Sequence, residues 1–199
     1  YVISGDFAGW NFGFAQGGFG GMLIATVLIA LMYGCMVFGL AELSAMIPTA
    51  GGGYGFARRA MGPVGGFLTG TAILLEYAIA PAAIAVFIGG YTGALLGVDG
   101  PIIYALFYAV FVGIHLRGTG EALKIMLVIT AVAVLALLLF VVGMLPHFSW
   151  DNLTDIPVNT DAVGASMWLP EGYWGIWGAI PFAIWLFLAV EGVPLAAEE

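Results

Sequence analysis

Long apolar runs, interrupted at only a few places, dominate this chain. No charged residue occurs between Phe7 and Ala41, and the run from Met61 to Leu96 contains one acid, Glu76. Because a helix needs about 20 apolar residues to cross a bilayer, these runs predict an all-α membrane protein with about six spans. We predict one partial transmembrane domain over residues 1–199, with these spans: 1–18 in part, 22–46, 63–96, 101–116, 121–145 and 174–199 in part.

The composition supports the same class. The chain is 62% hydrophobic and only 8% charged, whereas soluble domains carry roughly 25% charged residues. Its formal net charge is −8, which argues against nucleic acid as a partner. The lipid bilayer is the expected surrounding. We expect no cofactor, no metal site and no catalytic residue, so the protein is predicted not to be an enzyme.

The few basic residues predict the orientation. Short cytoplasmic loops retain Lys and Arg, and the four basic residues fall in two loops that are separated by two predicted spans: Arg58, Arg59, Arg117 and Lys124. We therefore expect a multi-pass protein of the cell membrane with loops 47–62 and 117–124 in the cytoplasm. The loop from Pro146 to Tyr173 contains no Lys or Arg and is expected outside.

Two stretches interrupt what would otherwise be ordinary spans. Ser4-Gly5-Asp6-Phe7-Ala8-Gly9 and Val190-Glu191-Gly192-Val193-Pro194 each place an acid and helix-weakening residues within apolar sequence. Glycine and proline destabilise helix interiors, and unwound backbone at membrane depth is tolerated only where it lines a cavity. We expect both stretches to be unwound and to form a binding site.

Three acids are predicted to lie within spans, where a charge costs about 2.5 to 3.5 kcal/mol on insertion scales. Asp6 and Glu191 belong to the interrupted stretches, although either could instead lie at the membrane surface. Glu76 falls near the middle of the third span. It is either protonated, paired with a polar group outside this chain, or directed into a cavity as a counter-charge for a cation.

Other functions fit the sequence less well. The loop from Pro48 to Tyr54 is rich in glycine but lacks the Lys and Ser/Thr of a nucleotide-binding loop, so we interpret it as a tight connection between spans. An intramembrane aspartyl protease would need a second aspartate beside Asp6, and the nearest candidate, Asp99, is in an outer turn. A purely structural subunit would not explain buried acids in interrupted helices.

The region from Ala41 to Tyr91 resembles the amino acid-polyamine-organocation (APC) superfamily of transporters. The residues that carry this resemblance are Ala41-Glu42-Leu43-Ser44, Pro48, Gly51-Gly52-Gly53-Tyr54-Gly55-Phe56-Ala57-Arg58-Arg59, Gly62-Pro63 and Gly66-Phe67. Within the superfamily the chain is most similar to the ethanolamine permease group, judged by Ser4 to Gly13 and by Phe187 to Glu199.

The resemblance implies the first half of a five-plus-five inverted-repeat fold with discontinuous helices one and six, so the chain looks like an N-terminal fragment. It also implies a substrate site, to which these residues would contribute: Ser4, Gly5, Asp6, Phe7, Trp185, Ala189 and Glu191. Glu76 is added to this expected site because of its predicted depth in the third span. The implied function is secondary active import of a small amine such as ethanolamine, by alternating access, with an amino acid as the alternative substrate. A coupling ion, a proton or Na⁺, is left open. Asp6 stands where the family has an apolar residue, which favours a cationic amine.

Overall fold

The computed structural model describes residues 3–47, 49 and 51–192, and of residues 3–8 and 119 only the backbone. The described part is α-helical and contains no strand, which confirms the predicted fold class. Two short 3₁₀ turns, Leu145–His147 and Trp150–Thr154, follow the fourth helix. The α-helices are α1 (Ile3–Met46), α2 (Gly52–Leu96), α3 (Pro101–His115), α4 (Thr119–Met144) and α5 (Gly172–Trp185).

Helix α1 folds back on itself at Gly18, whose φ of 63° is non-helical. A Cβ on Gly13 would overlap the Met22 thioether, although nine residues of straight helix would separate their backbones by about 13 Å. The bend divides α1 into α1a (residues 3–17) and α1b (residues 19–46). Gly18 permits this corner, because glycine adopts positive φ at low cost.

Helix α2 bends in the same way at Gly62, where φ is 77°. A Cβ on Gly66 would lie 2.7 Å from the Arg58 Cβ, a contact that a straight helix does not permit. Residues 52–61 (α2a) therefore pack back along the start of residues 63–96 (α2b). Helix begins again at Gly52 and continues to the bend. The interpretation of the loop from Pro48 to Tyr54 as a tight connection between spans stays a prediction.

The described residues form two compact units, 3–46 with 129–192 and 47–128. In the first unit, α1a, α1b and α5 enclose a core whose fully buried members are Met22, Ala25, Ala179 and Ala183. In the second unit, α2b and α3 meet at a turn in which the Tyr104 hydroxyl donates to Asp99 Oδ1 at 3.2 Å. The single domain predicted from the sequence stays a prediction.

Four helical regions are long and apolar enough to cross a membrane by length and composition, within the described ranges: Gly9–Met46, Gly52–Leu96, Gly120–His147 and Gly172–Gly192. Helix α3 is apolar but shorter. The predicted spans at 63–96, 101–116 and 121–145 correspond closely to α2b, α3 and α4. Helix α5 ends at Trp185, earlier than expected.

Candidate substrate site at the end of α5

A stripe of glycines brings α1a into close contact with α5. A Cβ on Gly17 would lie 2.8 Å from the Gly175 carbonyl oxygen, and one on Gly9 would lie 2.9 Å from Leu186 Cδ2. Gly13 lies between them and faces Phe182. The two helices are therefore antiparallel, and small residues at every fourth position permit their close approach. The four-residue spacing of these glycines is visible in the sequence, but the sequence-based predictions do not include the stripe.

The expected unwinding at Ser4–Gly9 is wrong. The backbone of Ser4, Gly5, Asp6 and Phe7 is helical, and α1 runs without interruption from Ile3 to the bend at Gly18. Gly9 has no Cβ, so it allows close contact with α5. It does not break the helix, because the backbone groups around it are satisfied by helical hydrogen bonds. The side chains of residues 4–7 lie outside the described part of the structure.

The second expected interruption is present but begins earlier than predicted. After Trp185 the chain continues in tight turns: the Leu186 N–H donates to the Ala183 carbonyl and the Phe187 N–H to the Ile184 carbonyl. Ala189 then has φ of 73°, a left-handed conformation that is uncommon for a residue with a side chain. Helix α5 thus ends before Val190, and Pro194 lies outside the described residues.

Glu191 closes this turn with its side chain. Its Oε1 accepts a hydrogen bond of 2.9 Å from the Ala189 N–H. Its Oε2 is buried and has no hydrogen-bond partner among the described residues. Buried polar atoms are normally paired, because an unpaired one carries its full desolvation cost. The second oxygen is therefore available to a group outside the described residues.

Most of the predicted site residues fall in one region of the first unit. Trp185, Ala189 and Glu191 lie at the end of α5 or in the turns that follow it. The contact between Gly9 and Leu186 places the amino-terminal end of α1a beside these turns. Glu76 lies on α2b in the other unit, where its side chain is half-buried.

Aromatic rings pack close to the turns after α5. The ring centroids of Tyr33 and Phe187 are 5.6 Å apart, and those of Phe12 and Phe182 are 6.1 Å apart. Tyr33 belongs to the buried core, whereas Phe187 is partly buried against it. Apolar rings therefore pack against the segment that follows α5, and apolar surroundings strengthen electrostatic interactions by excluding water.

The predicted outer loop covers the opposite end of this helix group. The Gly20 N–H donates to the Trp168 carbonyl at 3.0 Å, and the Trp168 ring lies 5.9 Å from Phe19. Pro170 is fully buried against the bend at Gly18. The loop is thus fixed to the bend between α1a and α1b by backbone contact.

These features define a multi-pass helical membrane protein with an interrupted helix and a buried, partly unpaired carboxylate at the interruption. Such sites occur in secondary transporters. Comparison with known proteins gives the particular family: the sequence profile described as amino acid permease matches residues 2–199. The chain belongs to the amino acid permease family, which supports the resemblance to the APC superfamily, and it is not an enzyme.

Curated relatives agree with this assignment. The chain is 30% identical over 206 residues to an uncharacterized transporter of Rhizobium meliloti (strain 1021), covering 100% of this chain and 43% of that protein. It is 25% identical to a methylthioribose transporter of Bacillus subtilis (strain 168), with the same coverage of each. A branched-chain amino acid permease of the same bacterium is 24% identical, over 90% of this chain and 40% of that protein.

The chain thus spans less than half the length of these relatives. No solved structure is significantly similar to it.

Proposed function

We propose that the full-length protein is a secondary active transporter that imports a small primary amine, such as ethanolamine, by alternating access. The observation that carries this proposal is the state of Glu191. One carboxylate oxygen holds the Ala189 N–H and the other is buried without a partner among the described residues. A buried carboxylate of this kind suits a cationic ligand, because an ammonium group supplies both the missing hydrogen bond and the compensating charge.

The same geometry disfavours a ligand carboxylate at this point. Substrate carboxylates are usually held by exposed backbone amides at interrupted helices. Here the Ala189 amide is already used by Glu191, and a second carboxylate would meet like charge. An amine without a carboxylate avoids this repulsion. Asp6 and Glu76 would add negative charge to the same site in the complete protein, and Ser4, Gly5, Phe7, Trp185 and Ala189 would complete its lining.

An amino acid is the second candidate substrate. It is favoured by the family description and by relatives named as amino acid permeases, including a probable amino-acid permease of Schizosaccharomyces pombe (strain 972 / ATCC 24843) that is 28% identical. In this case the ammonium group would still bind Glu191. The substrate carboxylate would then need backbone amides elsewhere, such as those supplied by the rest of the protein.

We further propose that the protein lies in the cell membrane with loops 47–62 and 117–124 in the cytoplasm. The positions of Arg58, Arg59, Arg117 and Lys124 support this orientation. Transport would be coupled to a proton or to Na⁺.

Cysteine labelling tests the orientation in a variant with Cys35→Ser. A single cysteine introduced at position 59 should react with an impermeant maleimide only from the inside, and one introduced at position 155 only from the outside.

Uptake competition in the complete parent protein tests the substrate. Proteoliposomes that contain the full-length permease should accumulate labelled ethanolamine, and unlabelled small amines should compete while glycine, alanine and leucine do not. Liposomes without protein supply the control. Competition by amino acids at lower concentrations than by amines would contradict the amine proposal and favour the second candidate.

A further inference from the structure

A groove in the second compact unit lies apart from the proposed substrate site. It has a volume of about 320 Å³ and lies beside the turn that joins α3 to α4. Its lining includes the apolar side chains of Val110 and Ile114 of α3 and of Ile125 of α4. Gly113 also lines it, and a Cβ at Gly113 would meet no atom within 4 Å. The glycine therefore leaves open space along the groove.

The polar end of the groove carries one uncompensated positive charge. Arg117 and Glu121 both line it. The Glu121 carboxylate is neutralised by Lys124, whose Nζ lies 2.9 Å from Oε1. Arg117 forms no ion pair within the described ranges, and its side chain is exposed. The guanidinium therefore remains available to an anion from outside the chain.

We propose that this groove binds an anionic phospholipid. The headgroup phosphate would form a charge-assisted pair with the Arg117 guanidinium, which suits phosphate oxygens in a bidentate arrangement. One acyl chain would lie along Val110, Gly113 and Ile114. A cation beside apolar side chains matches an amphiphile with a negative head, whereas a free phosphate would use only the cation.

The predicted orientation agrees with this assignment. The loop 117–124 is expected in the cytoplasm, where anionic lipids are concentrated and where basic pockets between membrane helices bind their headgroups. Both walls of the groove belong to apolar helices. The occupant would thus reach the groove directly from the inner leaflet.

Thermal unfolding of the full-length parent in a neutral detergent tests the proposal. Added phosphatidylglycerol should raise the Tm by about 3 °C or more above the effect of phosphatidylcholine with the same acyl chains. Arg117→Gln should remove this difference by removing the cation, and Gly113→Leu should remove it by filling the groove. Arg117→Lys should retain part of it.

Two matched variants serve as controls. Arg59→Gln removes a positive charge on the same predicted side, and Gly143→Leu adds a side chain at another helical glycine with open surroundings. In both variants phosphatidylglycerol should still raise the Tm above the effect of phosphatidylcholine by the same amount as in the parent protein. Equal Tm shifts with the two lipids, an unchanged difference in Arg117→Gln, or the same shift with inorganic phosphate alone would overturn the proposal.

Discussion

The backbone N–H of Ala189 donates to Glu191 Oε1 at 2.9 Å while Ala189 itself has a left-handed φ of 73°. For an L-residue this conformation costs roughly 1–2 kcal/mol. The side-chain hydrogen bond offsets part of that cost, so the acid and the interrupted backbone stabilise each other. A change at either residue should therefore affect both the local conformation and the availability of Glu191 Oε2.

Glu191→Gln in the full-length parent should weaken amine uptake. The amide retains an oxygen that can accept from the Ala189 N–H but loses the negative charge. A hydrogen bond to a charged group contributes about 1.5–3 kcal/mol, so kcat/KM for uptake should fall about tenfold or more. Asp6→Asn should lower uptake in the same direction. Unchanged uptake kinetics in both variants would remove these acids from the site.

Ala189→Gly should raise thermal stability, because glycine adopts positive φ without the steric cost of a Cβ. We expect a gain of about 1 kcal/mol, measured by thermal unfolding of the purified protein. Ala183→Gly is the matched control: Ala183 is fully buried within α5, and glycine there should be destabilising by a similar amount. A loss of stability in Ala189→Gly would contradict the left-handed conformation.

Gly17→Ala should destabilise the packing of α1a against α5. Its Cβ would lie 2.8 Å from the Gly175 carbonyl oxygen and 3.0 Å from the Ala179 Cβ, so the helices would have to separate. Overpacking of this kind costs about 1–3 kcal/mol. Gly34→Ala, also in α1, meets no atom within 4 Å and should leave the Tm unchanged or slightly raised. Equal effects of the two substitutions would argue against the close contact.

Gly18→Ala should be more damaging than Gly62→Ala, although both glycines have positive φ. At Gly62 the new Cβ meets no atom within 4 Å, so only the backbone cost of roughly 1–2 kcal/mol applies. At Gly18 it would also overlap Pro170, in the loop that precedes α5. The two Tm values, measured side by side, check this difference. A larger effect at Gly62 would mean that the loop preceding α5 does not pack against the bend at Gly18.

Glu76→Gln distinguishes two roles of this acid in the complete permease. If Glu76 serves as a counter-charge for the substrate, uptake should fall several-fold while expression and Tm stay near those of the parent protein. The measurement is initial uptake rate at matched protein density. Parent-like transport with normal expression, or a lower Tm with reduced expression, would instead indicate a packing role.

Local features of the sequence predicted much of the helical architecture. The start of α3 at Pro101 and the extent of α4 follow from apolar length and from the preference of proline for the first turn of a helix. Helix α2a was missed because a short amphipathic segment beside a glycine-rich loop gives a weak periodic signal. The end of α5 was placed too late because its position depends on a side-chain contact.

The sequence by itself determined that this protein is helical, lies in a membrane and carries acids within apolar segments, because these properties depend on local hydrophobicity and charge. Tertiary structure alone decided that the glycines near the amino terminus serve helix packing and not helix interruption. They face α5 at positions 9, 13 and 17, so they permit close packing and leave α1a intact. The pairing of Ala189 with Glu191 is likewise visible only in three dimensions, because a hydrogen bond depends on backbone geometry that composition does not specify.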